Sequence, residues 1–149
     1  MQRVARASVA IDGALHASID RGVVVLLGVG PGDTLAEASR LAAKIMAQRI
    51  HGDAAGKMNL ALADIGGEAL IVSQFTLYAD TRKGNRPAFK DAAGPDLAIP
   101  LYKAFVAECE TILPGRIRTG VFAADMRIEL VNDGPVTICM DTAEWSANI

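Results

Sequence analysis

Val23-Val24-Val25-Leu26-Leu27-Gly28-Val29 constrains the fold more than any other stretch of this 149-residue chain. A continuous valine-rich run with no polar residue at alternate positions has the composition of a strand covered on both faces. Such a strand needs a packed layer on either side, and the chain has to supply both. Glu68-Ala69-Leu70-Ile71-Val72 is a second, shorter run of the same kind. With 51% hydrophobic and 21% charged residues the sequence can fill one core, and a single domain over residues 1–149 is expected.

The remaining elements follow from periodicity and punctuation. Residues 4–11 alternate roughly, Asp12-Gly13 is a strong hairpin signal, and residues 14–19 return as a second strand. Gly30-Pro31-Gly32-Asp33 breaks the chain after the central run. Thr34-Leu35-Ala36-Glu37 then has the form of a capping box, and Leu35, Ala38, Leu41 or Ala42, Ile45 and Arg49 recur at helical spacing, predicting a helix to about residue 50. Residues 51–59 and 80–90 read as loops, the second of them basic. A helix is predicted over 95–112 with Leu97, Leu101, Phe105, Cys109 and Ile112 on one face, and Pro100 kinks or delays its first turn. Three strands are expected at 117–122, 126–131 and 136–140, with Asn132-Asp133-Gly134-Pro135 between the last two. A faint repeat of glycine, buried strand, loop and helix links residues 22–50 with 67–112.

Several function classes are disfavoured. Fifteen basic against seventeen acidic residues leave a formal charge of -2, so no global field draws the chain to nucleic acid or an anionic membrane, and an anionic partner has to be held locally. Cys109 and Cys139 form no CxxC pair and suit a reducing compartment. No signal-peptide pattern or membrane-length apolar run is present, which points to the cytoplasm. Asp53, Asp64, Asp80 and Asp125 lack metal-ligand spacing, so no metal and no cofactor are expected. The glycine-rich loop at residues 28–33 has the wrong spacing for a dinucleotide fingerprint.

Two polar stretches hold the candidate chemistry. Ser73-Gln74-Phe75-Thr76-Leu77-Tyr78-Ala79-Asp80 lies where the second buried strand emerges, and Ser73, Gln74 and Thr76 can each hydrogen-bond a ligand. A plain alternative puts Gln74 and Thr76 on the wet face of an ordinary strand, with Phe75 and Leu77 in the core. Asn132-Asp133-Gly134-Pro135-Val136-Thr137 is the other stretch. There a glycine allows close backbone approach and the proline makes a cis peptide accessible, although a plain hairpin turn with a trans proline accounts for the same residues. Lys57-Met58-Asn59 either touches a ligand or folds against the first stretch.

Taken together, these two stretches resemble the signature motifs of the D-aminoacyl-tRNA deacylases. Gln2-Arg3-Val4, Gly56-Lys57-Met58-Asn59-Leu60, Asp80-Thr81-Arg82, Arg86-Pro87, Thr119-Gly120 and Ala124-Asp125-Met126 extend the resemblance over nearly the whole chain. The resemblance implies a mixed α/β fold of strongly curved β layers, a barrel-like β/β/α sandwich with two main helices on one side. It implies hydrolysis of D-aminoacyl-tRNA, and of mischarged glycyl-tRNA, by a homodimer with active sites at the subunit boundary. By the same analogy Gln74, Phe75 and Thr76 carry catalysis, Ser73, Asn132, Gly134 and Pro135 bind substrate, and Gly134-Pro135 is a cis unit that reaches into the partner's pocket and excludes L-amino acids.

Thr76 matches a position favoured in the family as a nucleophile, yet neither His16 nor His51 is placed in sequence to activate it. The other assignment gives the work to backbone amides near Phe75 and Thr76, with the tRNA 2'-hydroxyl assisting. Arg82, Lys83, Arg86 and Lys90 are the candidates for tRNA phosphates, against the alternative of a solvated loop partly neutralised by Asp80 and Asp91. A noncatalytic nucleic-acid-binding module and a small-molecule esterase with a Thr76 nucleophile are the competing functions. Family chains usually carry a few more residues before the Gln-Arg-Val segment, so either the first strand is short or the true start lies upstream, and Arg3 is expected to sit at a frayed end. Residues 142–149 run past the usual end of the family and have no assigned role.

Overall fold

The computed structural model describes residues 1–145. Its strands are β1 (Gln2–Ile11), β2 (Ala14–Ile19), β3 (Gly22–Leu27), β4 (His51–Gly52), β5 (Met58–Leu60), β6 (Glu68–Ser73), β7 (Ile117–Thr119) and β8 (Met126–Thr137), and its α-helices are α1 (Leu35–Met46) and α2 (Pro95–Ile112). The main sheet runs β2-β1-β3-β6-β7, with β8 on the free side of β1. β3 and β6 pair in parallel, with Gly22 opposite Glu68 and Leu27 opposite Ser73, and the valine-rich run is the central strand its composition predicts. The mixed α/β, curved-sheet class agrees with the expected fold.

Both faces of the β3–β6 pair are covered. Val23, Val25, Leu27, Ala69 and Ile71 pack against Ala42, Ile45 and Met46 of α1 and Tyr102, Phe105 and Cys109 of α2. The intervening Val24, Leu70 and Val72 face Val4, Ala7 and Val9 of β1 and Ile19 of β2, so a β layer closes the other side. Each large aliphatic or aromatic side chain fully buried in this way contributes about 1.5–3 kcal/mol. The capping box at Thr34 and Glu37, present as expected, contributes about 1 kcal/mol, so packing rather than capping holds α1 in place.

The helices differ in detail from the sequence reading. α1 stops at Met46 with Ala47 as its cap, four residues short of the expected end. Ile50 is buried and His51 pairs with Leu60, so the chain has to leave the helix to reach the small β4–β5 sheet. Arg49, counted in the helical period, instead donates to the Asn59 carbonyl at 2.9 Å, and Leu35 is exposed. α2 has the predicted bounds and runs on through Pro100, which is exposed. Its buried face is Ala98, Leu101, Tyr102, Phe105 and Cys109, turned away from Leu97 and Ile112, and the Tyr102 hydroxyl donates to the Ile71 carbonyl at 3.0 Å.

Strand reading at the C-terminal end needs two corrections. Residues 117–122 supply only the short β7, and residues 126–137 form one continuous strand rather than two strands joined by a turn. β8 pairs with β1 along its length, and the register shifts between Gln2 and Val4 and between Val4 and Arg6 absorb the irregular residues around Asn132. Residues 51–59, read as a loop, carry β4 and the start of β5. The chain start is not frayed: β1 begins at Gln2, and Met1 and Ile138 exchange backbone hydrogen bonds of 2.6 and 2.9 Å.

At Gly22 there is no room for a side chain between β3 and β6, since a Cβ there would lie 1.8 Å from the Glu68 carbonyl oxygen. Gly22→Ala is expected to destabilise the protein by about 3 kcal/mol or more in urea denaturation, as overpacking against backbone cannot relax through a side chain. Gly32→Ala, with nothing near its added methyl, is expected to stay within about 0.5 kcal/mol of the parent.

Candidate active site

β6 delivers the first polar stretch. Its last residue, Ser73, is opposite Leu27, and the Gln74 amide donates to the Leu27 carbonyl at 2.7 Å before the chain turns. Phe75–Tyr78 then form a 3₁₀ turn rather than more strand. Phe75 and Leu77 are 57% and 58% exposed, which removes the reading in which they fill the core. The first hydrogen bond of the turn runs from the Leu77 amide to the Gln74 carbonyl at 3.3 Å. The preceding amides of Phe75 and Thr76 therefore have no partner within the turn and are free to bind an oxyanion. Tyr78 anchors the far end against Gly28 and Gly30, where a Cβ would lie 3.0 and 2.9 Å from its ring and hydroxyl.

The Thr76 hydroxyl is bonded to the side-chain amide of Gln74, which donates to it. That partner cannot take the hydroxyl's proton. His16 is exposed on β2 and His51 is buried in β4, and among the described residues no base is hydrogen-bonded to the threonine hydroxyl. Phe75 stacks edge-on with Phe89, with ring centroids 5.2 Å apart.

Asn132, Asp133, Gly134 and Pro135 form an exposed segment near the end of β8. The Gly134–Pro135 peptide is cis, and Gly134 has φ +130. A side chain there is disfavoured twice, by that backbone angle and because a Cβ would lie 2.8 Å from Arg3 Nη2 and from Val136 Cγ2. β1 holds the segment from below. Arg3 Nε donates to the Asp133 carbonyl at 3.0 Å, and its Nη1 donates to the Ile50 carbonyl at 2.7 Å. Gln2 Oε1 accepts from Asn132 Nδ2 at 3.0 Å and from the Thr137 hydroxyl at 2.8 Å. Arg3, expected at a frayed end, is thus a firm anchor. Among the described residues no hydrogen bond or ion pair joins this segment to Ser73, Gln74, Phe75 or Thr76.

The basic loop is partly neutralised. Asp80 accepts from Arg82 Nε at 2.8 Å and Nη2 at 2.7 Å, and Lys90 Nζ lies 3.7 Å from the same carboxylate. The Arg82 hydrogen bonds, with Lys90 behind them, hold the Asp80 carboxyl down at a pKa of about 2. Lys83 and Arg86 are exposed and make no ion pair among the described residues. Met58 and Asn59 belong to β5, tied to β4 and Arg49.

A cavity of about 420 Å³ lies behind the 3₁₀ turn, between Leu77 and Tyr78, the end of β3, α1 and residues 137–142. None of Ser73, Gln74, Phe75 or Thr76 lines it. Among the described residues no cluster of three or more histidine, cysteine or acidic side chains is arranged to hold a metal, and no helix is long and apolar enough to cross a membrane.

The family model described as D-Tyr-tRNA(Tyr) deacylase matches residues 1–141, which include both polar segments. The chain belongs to this deacylase family. It is 54% identical over 142 residues to a D-aminoacyl-tRNA deacylase of Cytophaga hutchinsonii, covering 95% of each chain. Its identity to one from Roseiflexus castenholzii is 55% over 143 residues, covering 96% of this chain and 90% of the relative. The solved structure of a protein named c-Myc DNA Unwinding Element Binding Protein superposes with a TM-score of 0.87 at 40% identity, over 92% of this chain and 93% of that one. Another, of a probable eukaryotic D-amino acid tRNA deacylase, has a TM-score of 0.73 at 16% identity and shares the fold, over 90% and 92%.

Gln2 and Tyr78 support the two segments structurally and were not among the candidate residues of the sequence. Both lie inside stretches that carry the family resemblance, Gln2 beside Arg3 and Tyr78 after Leu77, whereas the Tyr78 contact with Gly28 and Gly30 is visible only in three dimensions. The Asp80 carboxyl is expected to titrate near 2 by carbon-detected NMR and to move up toward the usual aspartate value near 4 in Arg82→Ala. Its stabilising effect is therefore present above about pH 4 and is lost as pH falls toward 2.

Proposed function

We propose that the protein hydrolyses the ester between a D-amino acid and the terminal ribose of tRNA in the cytoplasm, as a homodimer. The observation that carries this reading is the family match over residues 1–141, within which both polar segments fall. In the reaction, water attacks the ester carbonyl carbon, negative charge develops on the carbonyl oxygen, and the acyl C–O bond breaks. The departing ribose oxygen takes a proton, leaving tRNA and the D-amino acid. The Phe75 and Thr76 amides stabilise the developing oxyanion, which requires no side-chain nucleophile. Ser73 and Gln74 orient the ester, and the 2'-hydroxyl of the tRNA assists.

The Asn132–Pro135 segment serves the site of the other subunit. Its exposure, and that of Phe75, Leu77 and Val131, supports a surface that a second copy covers. A wall made of Gly134 and Pro135 backbone has no room for an L side chain, whereas a D side chain points outward. Selectivity then arises from rejection rather than grip, so many D-amino acids and glycine are accepted. Lys83 and Arg86, with Arg82 and Lys90 less fully because of Asp80, meet tRNA phosphates.

The structural neighbour at 40% identity is named for binding a DNA element, which favours one other reading, a nucleic-acid-binding module on this scaffold without catalysis. Turnover of matched D-tyrosyl-tRNA and L-tyrosyl-tRNA separates the two, since the deacylase releases D-tyrosine alone and the binding module releases neither.

Thr76→Ala is expected to stay within about tenfold of the parent, because losing an oxyanion donor costs about 10²–10³ in rate and this substitution keeps the backbone amide. A larger loss would return the nucleophile role to Thr76. Gly134→Val is expected to lose D-ester turnover or the rejection of L-esters, and normal values for both would remove the wall. Neutralising Lys83 and Arg86 together is expected to lower the slope of log K for tRNA against log salt by about 1–2, with the D/L ratio unchanged.

A further inference from the structure

His51 is buried, 1% exposed, and neither of its ring nitrogens has a hydrogen-bond partner among the described residues. It sits in β4 directly after Ile50, whose carbonyl accepts from Arg3 Nη1, and Arg3 in turn holds the Asp133 carbonyl. The charged groups acting on the ring come from three elements: Arg3 of β1, Arg21 between β2 and β3, and Asp133 of β8. Arg3, Arg21 and Asp133 also line a cavity of about 350 Å³ with Gly52, Gly56 and Met58, so the space beside β4 carries two cations and one carboxylate.

A neutral imidazole is tolerated there, and an imidazolium is not. Protonation puts a third cation beside Arg3 and Arg21 and leaves two buried N–H donors without acceptors, an arrangement that costs free energy through both desolvation and like charge. The carboxylate able to relieve it is that of Asp133, which directly precedes Gly134, lies 3.7 Å from Arg3 Nε and belongs to the residue whose backbone carbonyl is Arg3's acceptor, so a pull toward His51 competes with Arg3. Relief therefore comes at the expense of the Arg3 grip.

We propose that His51 is a positioning residue that has to stay neutral for Arg3 to hold the Asp133–Gly134 segment, and that its protonation loosens the segment and lowers D-ester turnover. The turnover half rests on the function proposed above, and the loosening of the segment does not. Burial, reinforced by Arg21 and then Arg3, lowers the His51 pKa from its usual 6.5, against the opposing pull of Asp133. Because the folded protein binds that proton less readily than the unfolded chain, stability is full above about 6.5 and is lost as pH falls below it toward the lowered value.

The experiment pairs two readouts on the full chain. In ¹⁵N-labelled protein, the Asp133 and Gly134 amide resonances are followed from pH 8 down to one unit below the midpoint of the His51 ring. They are expected to titrate with the His51 midpoint in the parent and to stay flat through that range in His51→Phe and His51→Leu. Gly134 resonances that ignore the His51 titration overturn the proposal, whether or not the protein turns over any ester, and the parent alone suffices if the variants do not fold. D-tyrosyl-tRNA turnover is then measured over the same range, each protein normalised to its own rate at pH 8. The parent is expected to fall about tenfold further than either variant one unit below the midpoint. Superimposable normalised profiles overturn the positioning role and leave His51 a structural residue. Absence of turnover in every protein at pH 8 counts against the deacylase reading alone.

Discussion

The parallel ladder between β3 and β6 sets where every candidate catalytic group lies. Because both strands are buried on both faces, a one-residue register shift would swap their side chains between two differently packed layers and misfit both. The ladder continues one step past Ser73 through the Gln74 amide and then ends, and the 3₁₀ turn begins with amides that the sheet no longer needs. In the deacylase reading, the exposed end of a fully buried strand thereby supplies the amides proposed to bind the oxyanion. Tyr78, locked against Gly28 and Gly30, keeps that turn from unwinding into the cavity behind it.

The second segment is fixed by a different interaction. Arg3 spans from the Ile50 carbonyl to the Asp133 carbonyl, and Gln2 ties Asn132 to Thr137, so two consecutive residues of β1 hold both sides of Gly134. In the deacylase reading this rigidity is the source of selectivity: a wall that yields to an L side chain would not reject it. The same rigidity makes the surroundings of Arg3 consequential, since a charge on the buried His51 ring is screened less than one at the surface.

The central strand, the opening hairpin, the capping box and the bounds of α2 were all legible in the sequence, because each rests on a local pattern with a direct physical cause. The errors have tertiary causes. α1 ends at Met46 because Ile50 and His51 are wanted elsewhere, and nothing local marks that end. Asn132-Asp133-Gly134-Pro135 has the composition of a turn, yet pairing with β1 and the Arg3 and Gln2 anchors carry it through as irregular strand. Phe75 and Leu77 look like core residues by alternation, yet the 3₁₀ turn that ends the strand leaves both exposed. The family was readable from paired motifs, whereas the neutralisation of Arg82 and Lys90 by Asp80 required three-dimensional distances. Residues 142–145 pack back toward α1, where Arg40 lies 5.1 Å from the Trp145 ring centroid, and residues 146–149 of that unassigned tail lie outside those described.

The most direct test of the shared, backbone-built site is a crystal structure of the protein with a stable amide-linked D-tyrosyl adenosine analogue. The account predicts the analogue's carbonyl oxygen within hydrogen-bond distance of the Phe75 and Thr76 amides, with Gly134 of the partner subunit facing its Cα. An analogue seated instead in the cavity behind Leu77 and Tyr78, or bound wholly within one subunit, would contradict it.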